Sequence, residues 1–266
     1  MPAKKIKETW DTLLLKREGA VAQILLNRPE SLNSFDIPLA TELGAVLKKL
    51  AKDTKVRAVI LRGAGRAFSA GGDLKIFHGM LPRADRGFRK ISQLLHGAVQ
   101  TIRTMPQPVI AGVHGPAHAA AFGLTLACDL ILASEAAQFS ASYINMALTP
   151  NGSATIFLPR LVGWHRASEL FFTGRVLSAR EALEWGIVNR VVEDDRFEDA
   201  VWSWARELAS QPTRSLGRIK QLMNHSLGIS TLSQLKKEAD AIAWSATTPD
   251  FEERVRAFVG KRRLPS

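Results

Sequence analysis

Between Val109 and Ala133 the chain is almost continuously apolar, yet this run carries His114, His118 and Asp129 and is rich in glycine and alanine. A membrane span of about 20 apolar residues does not hold such groups cheaply. The run therefore reads as the core of a folded domain, and its neighbours read the same way. Residues 20–26 (AVAQILL) form a strand that ends at the turn Asn27-Arg28-Pro29. Residues 57–62 (RAVILR) form a second strand, apolar enough to be buried on both faces. Residues 108–114 form a third, introduced by the breaker Pro106-Gln107-Pro108, and residues 129–134 a fourth. From Asp36 to Lys52 the chain is helical, because Leu39, Leu43, Leu47 and Leu50 fall on one face. The segment from Gly63 to Gly72 holds four glycines and must be a loop. A helical stretch then runs from near Asp73 to about Thr104. Short strands separated by helices predict an α/β domain.

Beyond Asp195 the strand pattern stops and four amphipathic helices follow, divided by Pro212 and by Thr248-Pro249-Asp250, with Ser230 as a start signal. Their apolar faces need a surface to pack on, either their own core or another subunit. Composition narrows the partners. The 266 residues carry a net charge of +11. A basic chain suits nucleic acid, a membrane surface or a small polyanion. The charge is spread along the chain and clusters only at the ends, as Lys4, Lys5 and Lys7 and as Lys261, Arg262 and Arg263. No RNP, zinc-finger or zipper pattern accompanies it, so neither a nucleic-acid nor a membrane partner is expected. The single Cys128 excludes a disulfide framework, and no metal site is expected. The charged N-terminus lacks an apolar h-region, so a cytoplasmic location is expected.

Two loop-to-helix junctions carry the chemical interest. The first is Ala67-Phe68-Ser69-Ala70-Gly71-Gly72-Asp73-Leu74; the second is Gly115-Pro116-Ala117-His118-Ala119-Ala120-Ala121-Phe122-Gly123. Each follows a buried strand and opens a helix whose first N–H groups have no helical partner. Small side chains let a ligand approach the backbone. Two such junctions can aim two N–H donors at one oxygen, the geometry of an oxyanion hole. Glycine spacing alone favours tight packing turns over such a site.

These segments resemble the crotonase superfamily, the enoyl-CoA hydratase/isomerase family. The likeness extends through residues 26–34 (LNRPESLNS), 108–115 (PVIAGVHG), 127–133 (ACDLILA), 137–140 (AQFS), 158–163 (LPRLVG), 173–175 (TGR) and 181–189 (EALEWGIVN), nearly the whole chain in family order. It implies a crotonase-type α/β spiral of repeated β-β-α units over residues 1–195, then a helical oligomerisation region over 196–266. A homotrimer or dimer of trimers is expected. The substrate implied is an acyl-CoA thioester, with coenzyme A entering as part of the substrate and no tightly bound cofactor. Gly72 and Ala120 take the places of the two N–H donors that hold the thioester oxygen as an enolate forms. Leu32, Ala70, Gly71, Asp73 and Leu74 take positions along the coenzyme A site, with Arg28 and Lys75 as its basic residues; Asp73 reads more readily as a helix cap than as a chemical group. Phe258 and Lys261 of the last helix are placed to close a neighbouring subunit's site.

The catalytic carboxylates of the family are missing. Gly123 and Tyr143 stand where its hydratases carry glutamates, and Asn151 where isomerases and dehalogenases carry an aspartate. An amide donates and accepts hydrogen bonds but does not shuttle a proton. Asn151 either orients a polar group or fills a turn beside Pro150 and Gly152. Tyr143 is either a proton donor or a pocket-lining aromatic. His118, two residues before the second donor, is either a neutral acid–base group or a wall residue, and His78 follows the first junction. Overall likeness, including residues 218–221 (RIKQ), favours isomerase-type chemistry related to ring-modifying enzymes of phenylacetate degradation. Decarboxylation of a malonyl-type thioester, suggested by residues 139–146 (FSASYINM), ordinary hydration and a catalytically silent acyl-CoA binder stay open.

Overall fold

In the computed structural model, residues 5–79 and 81–260 are described. Three antiparallel strands open the fold: β1 (Lys5–Thr9), β2 (Leu13–Glu18) and β3 (Val21–Leu26). Helix α1 (Ile37–Lys52) follows, started by Asp36, whose carboxylate accepts the N–H of Leu39 at 2.8 Å. Strand β4 (Ala58–Gly63) pairs in parallel with β3. After the glycine loop come α2 (Leu74–Gly79) and α3 (Ala84–Thr104), two helices where periodicity gave one. Then follow β5 (Val109–Val113), β6 (Pro116–His118), α4 (Ala120–Ala127), β7 (Leu130–Ser134) and β8 (Gln138–Ser140). Next are α5 (Ala154–Val162), α6 (Trp164–Thr173), β9 (Val176–Ser178), α7 (Ala179–Glu184) and β10 (Arg190–Val192). Helices α8 (Phe197–Ala209), α9 (Thr213–Ser226), α10 (Thr231–Ser245) and α11 (Pro249–Val259) complete the chain.

The strands form a seven-stranded sheet ordered β1-β2-β3-β4-β5-β7-β10 and a three-stranded sheet ordered β6-β8-β9. From β3 to β10 the large sheet is parallel. Its central strands are buried on both faces, with the period of two that a pleated strand imposes. On β4, Val59 and Leu61 join Leu39, Leu43 and Leu47 of α1 and Leu95 and Ile102 of α3 in one core. Ala58 and Ile60 turn to the other face, under Phe197, Val201, Trp202 and Trp204 of α8. The expected division after residue 195 therefore marks where strands end, but α8 is a layer on the sheet.

The two outer antiparallel strands and the small sheet escaped the sequence reading. β6, β8, β9 and β10 are three residues each, too short to display a period. The small sheet matters most. β6 pairs with β8, and an isolated bridge joins Ser69 to Ala117, with Ser69 N–H donating to Pro116 and His118 N–H donating back to Ser69. That bridge lays the first glycine junction against the second.

The ends of α9, α10 and α11 look outward. Leu232 is 80% exposed, Ile242 72% and Phe258 85%, and no residue of α10 or α11 is buried within the chain. No described helix is long and apolar enough to cross a membrane.

Candidate active site

A cavity of about 520 Å³ opens where the two junctions meet. Its walls come from Ala70 and Gly72 of the first junction, Leu74 and Phe77 of α2, and Phe88, Ile91, Ser92, Leu95 and His96 of α3. Ala119 and Ala120 of the second junction and the segment from Ser142 to Asn151 close it. Phe77 and Phe88 stack with ring centroids 4.0 Å apart, giving one wall a flat apolar face.

Backbone geometry singles out two N–H groups. Phe35 N–H donates to Gly71 O and Asp73 N–H donates to Phe35 O, so pairing occurs on both sides of Gly72 while its own N–H has no partner among the described residues. Gly71 sits at φ +96°, and a Cβ there would lie 2.8 Å from His118 O. Only glycine fits that approach. On the other side, Ala119 adopts φ 48° and ψ −118°, a strained conformation for alanine, while its N–H is held by Ser140 O at 2.8 Å. Ala120 is the first residue of α4, and its N–H is likewise unpaired within the described chain. Both residues line the cavity.

The polar side chains converge on Asn151. Its Nδ2 donates to Ser92 Oγ at 2.6 Å, and its Oδ1 accepts from Gly152 N–H at 2.7 Å. The Gly152 contact fixes which end of the amide is oxygen. His96 Nε2, 2.5 Å from that oxygen, is therefore the donor, and Nδ1 keeps its lone pair. Tyr143 donates its hydroxyl to Asn151 O at 2.7 Å, and burial pushes the phenol pKa well up. Its proton already has an acceptor, so Tyr143 braces the loop that carries Asn151. No aspartate or glutamate lines the cavity among the described residues.

His96 and Ser92 were not singled out in the sequence. The signal was present: Phe88, Ser92 and His96 recur every fourth residue beside the buried stripe of Ile91, Leu95, Ala98 and Ile102 on α3. His118 does not line the cavity. Its Nε2 is buried without a partner, and burial holds its pKa below the ordinary 6.5. His114, bonded to Gly65 O at 2.8 Å, is lowered mainly by the same desolvation. Both resist protonation in the fold but not in the unfolded chain. Their contribution to stability is thus full above pH 6.5 and is lost as pH falls below it. Urea midpoints measured from neutral to mildly acidic pH should fall, and His118→Gln should flatten the decline.

A family model, enoyl-CoA hydratase/isomerase, matches residues 16–265. The chain belongs to that family. The 1,2-epoxyphenylacetyl-CoA isomerase of Escherichia coli (strain K12) is 36% identical over 247 residues, spanning 92% of this chain and 94% of that protein. The 4-chlorobenzoyl coenzyme A dehalogenase-2 of an Arthrobacter species is 33% identical over 253 residues, 95% of this chain and 92% of that one. An enoyl-CoA hydratase structure from Polaromonas sp. JS666 superposes with a TM-score of 0.91 at 30% identity, covering 96% of this chain and 98% of that chain. The architecture is thus the α/β crotonase-type fold.

Within this enoyl-CoA hydratase/isomerase family member, position 123 has no room for a side chain. A Cβ on Gly123 would lie 2.5 Å from Gly152 O and 2.7 Å from Asn151 O. The loop carrying Asn151 lies against α4, and no side chain fits between them. Gly123→Ala should therefore lower stability by about 1–3 kcal/mol, read from a urea melt, and should loosen the Asn151 loop. Gly123→Glu should not create hydratase activity.

The expected coenzyme A residues separate into groups. Leu32 O accepts the N–H of Ala70 at 3.0 Å, so these two lie together beside the first junction. Leu74 and Lys75 are exposed on α2, as is His78. Arg28 is not a free cation. Its guanidinium lies 3.1 Å from Asp36 and 3.2 Å from Asp73, with a further bond to Ser34 O. It ties the turn after β3 to the starts of α1 and α2, and Asp73 serves as its counter-ion. Phe258 is exposed on α11, and Lys261 lies outside the described residues.

Proposed function

We propose that this acyl-CoA enzyme is an isomerase: it forms a thioester enolate and returns the proton to a different carbon. The carrying observation is the pair of unpaired N–H groups, Gly72 and Ala120, which face one cavity from two junctions joined by the Ser69–Ala117 bridge. A thioester oxygen between them gains two fixed donors as negative charge develops on it. His96 supplies the proton transfer. Asn151 holds its Nε2–H and leaves Nδ1 to take a proton from one carbon of the acyl chain and deliver it to another. Hydration requires a second group to activate water, and the cavity offers no carboxylate for it among its described lining residues. The identity to an epoxyphenylacetyl-CoA isomerase and the stacked Phe77 and Phe88 rings support an acyl group with a flat apolar body. The exposed apolar residues of α10 and α11 support assembly into a trimer or dimer of trimers, testable by sedimentation equilibrium.

The test is incubation in deuterium oxide with saturated, 2-enoyl, 3-enoyl and malonyl-type acyl-CoA thioesters, followed by mass spectrometry. Deuterium uptake with a double-bond shift is expected. Loss of CO₂ alone would replace the reading with decarboxylation, addition of water with hydration, and binding without change across the panel with a silent acyl-CoA binder. Ala120→Pro removes one donor at a first helical position, where proline is tolerated. It should lower the exchange rate about 10²–10³-fold, with thermal melting as the check that the fold persists.

A further inference from the structure

We propose that Asn151 is a maturation site: in the folded protein its side-chain amide is hydrolysed to a carboxylate through a cyclic imide formed with the backbone nitrogen of Gly152. The consequence for activity rests on the acyl-CoA isomerase reading above; the modification itself does not.

One sequence neighbour and three contacts build the site. Asn151 precedes a glycine, so the attacking nitrogen carries no neighbouring Cβ to obstruct ring closure. Gly152 N is 2.7 Å from Asn151 Oδ1. A carbonyl bond of about 1.23 Å then places that nitrogen within about 4 Å of Cγ. The carbonyl oxygen also receives the N–H of His96 at 2.5 Å. An imidazole donor on that oxygen stabilises the tetrahedral intermediate as an oxyanion hole does. The nitrogen that must leave, Nδ2, is 2.6 Å from Ser92 Oγ, a hydroxyl able to hand it a proton.

The balance closes with water alone. The bond from Gly152 N to Cγ forms as the N–H proton passes to solvent. The Cγ–Nδ2 bond breaks, and Nδ2 departs as ammonia with a proton from Ser92, which recovers one from solvent. Water then adds at Cγ, the Cγ–N bond breaks, and Gly152 N regains its proton. The sum is amide plus water to carboxylate plus ammonium, with no oxidation or reduction.

The fold also selects the product. Imide opening at the backbone carbonyl would give isoaspartate. That carbonyl is packed against α4, its oxygen 2.7 Å from where a Cβ of Gly123 would lie. Asn151 lines the cavity, so water entering there is expected to add at Cγ and ordinary aspartate is the expected product. Conversion installs, beside His96, the carboxylate that the described cavity wall otherwise lacks. A carboxylate in contact with an imidazole favours its protonated form and strengthens it as a base.

The experiment is peptide mapping of the purified protein after incubation at neutral pH in ¹⁸O-labelled water, against the same chain held unfolded in urea. Residue 151 should become ¹⁸O-labelled aspartate at least about tenfold faster in the folded protein, and His96→Leu, which takes away the N–H donor to Oδ1, should remove that advantage. His165→Gln, an exposed histidine on α6, should leave it intact. Persistence of the amide in the folded chain while the unfolded chain converts would overturn the proposal, and so would isoaspartate as the main product. Deuterium exchange by the Asn151→Asp variant separates the two readings. If that variant exchanges no substrate proton, the isomerase reading fails whatever the mass spectra give; if it exchanges while residue 151 never converts, only the maturation proposal fails.

Discussion

Lys220→Ala is expected to destabilise the fold by about 3–5 kcal/mol, the effect of removing one partner from a buried ion pair. The ammonium of Lys220 is 6% exposed and lies 2.6 Å from Asp129 Oδ2. It also donates to Ile102 O at 2.9 Å and to Gln107 O at 2.8 Å. These acceptors lie at the end of α3 and the start of β5, so one side chain from α9 stitches the helical part of the chain to the core. Gly217 permits that approach, since a Cβ there would meet Pro106 Cα at 2.8 Å. Truncation leaves two buried carbonyls and the Asp129 carboxylate short of a donor. Arg103, 3.8 Å from Asp129, compensates only in part. Burial lowers the Lys220 pKa more than Asp129 raises it, which marks the desolvation that this pair bears. A double replacement, Lys220→Met with Asp129→Asn, should therefore recover part of the loss. Urea unfolding of the single and double variants gives the coupling. A Lys220→Ala loss below about 1 kcal/mol, the level of a surface pair, would show that the cluster is solvated.

The sequence disclosed those parts of the fold that repeat over many residues. Leu39, Leu43 and Leu47 mark the inner face of α1, and the apolar run of β4 marks a strand covered on both sides. The two donor-bearing junctions could be located because they need small residues at a close approach, and Gly71 is a position where a Cβ would strike His118 O. What stayed hidden depends on contacts distant in sequence. Three-residue strands such as β6 have no period, yet the Ser69–Ala117 bridge is what brings the junctions together. Arg28 looked like a cation for phosphates, and only the fold brings Asp36 and Asp73 to it. His96 stands 55 residues from Asn151, and nothing local marks it except its place one turn after Ser92. Gly123 read as an expected loss of chemistry; in the structure glycine is a packing requirement there, because the 151–152 backbone fills the space.

His96→Gln should reduce proton exchange into substrate about 10²–10⁴-fold, the usual contribution of a positioned acid–base group. Glutamine keeps an N–H donor of similar reach for Asn151 Oδ1, so the loop braced by Tyr143 and Ser92 should stay in place. It has no lone pair basic enough to take a carbon-bound proton. Binding should survive, because the proposed oxyanion donors are backbone groups of Gly72 and Ala120, on other elements. The loss should therefore fall on kcat with KM little changed, the pattern of an interaction made only as the proton moves. Tyr143→Phe makes the complementary comparison. It removes the bond to Asn151 O but no group with a role in proton transfer, so its defect should appear as a loosened loop and a raised KM. If the two variants exchanged these signatures, the proton would travel through the phenol and His96 would be the brace. Both hydrogen-bond to Asn151 and line one cavity, but only His96 keeps a basic lone pair, and proton transfer from carbon requires one.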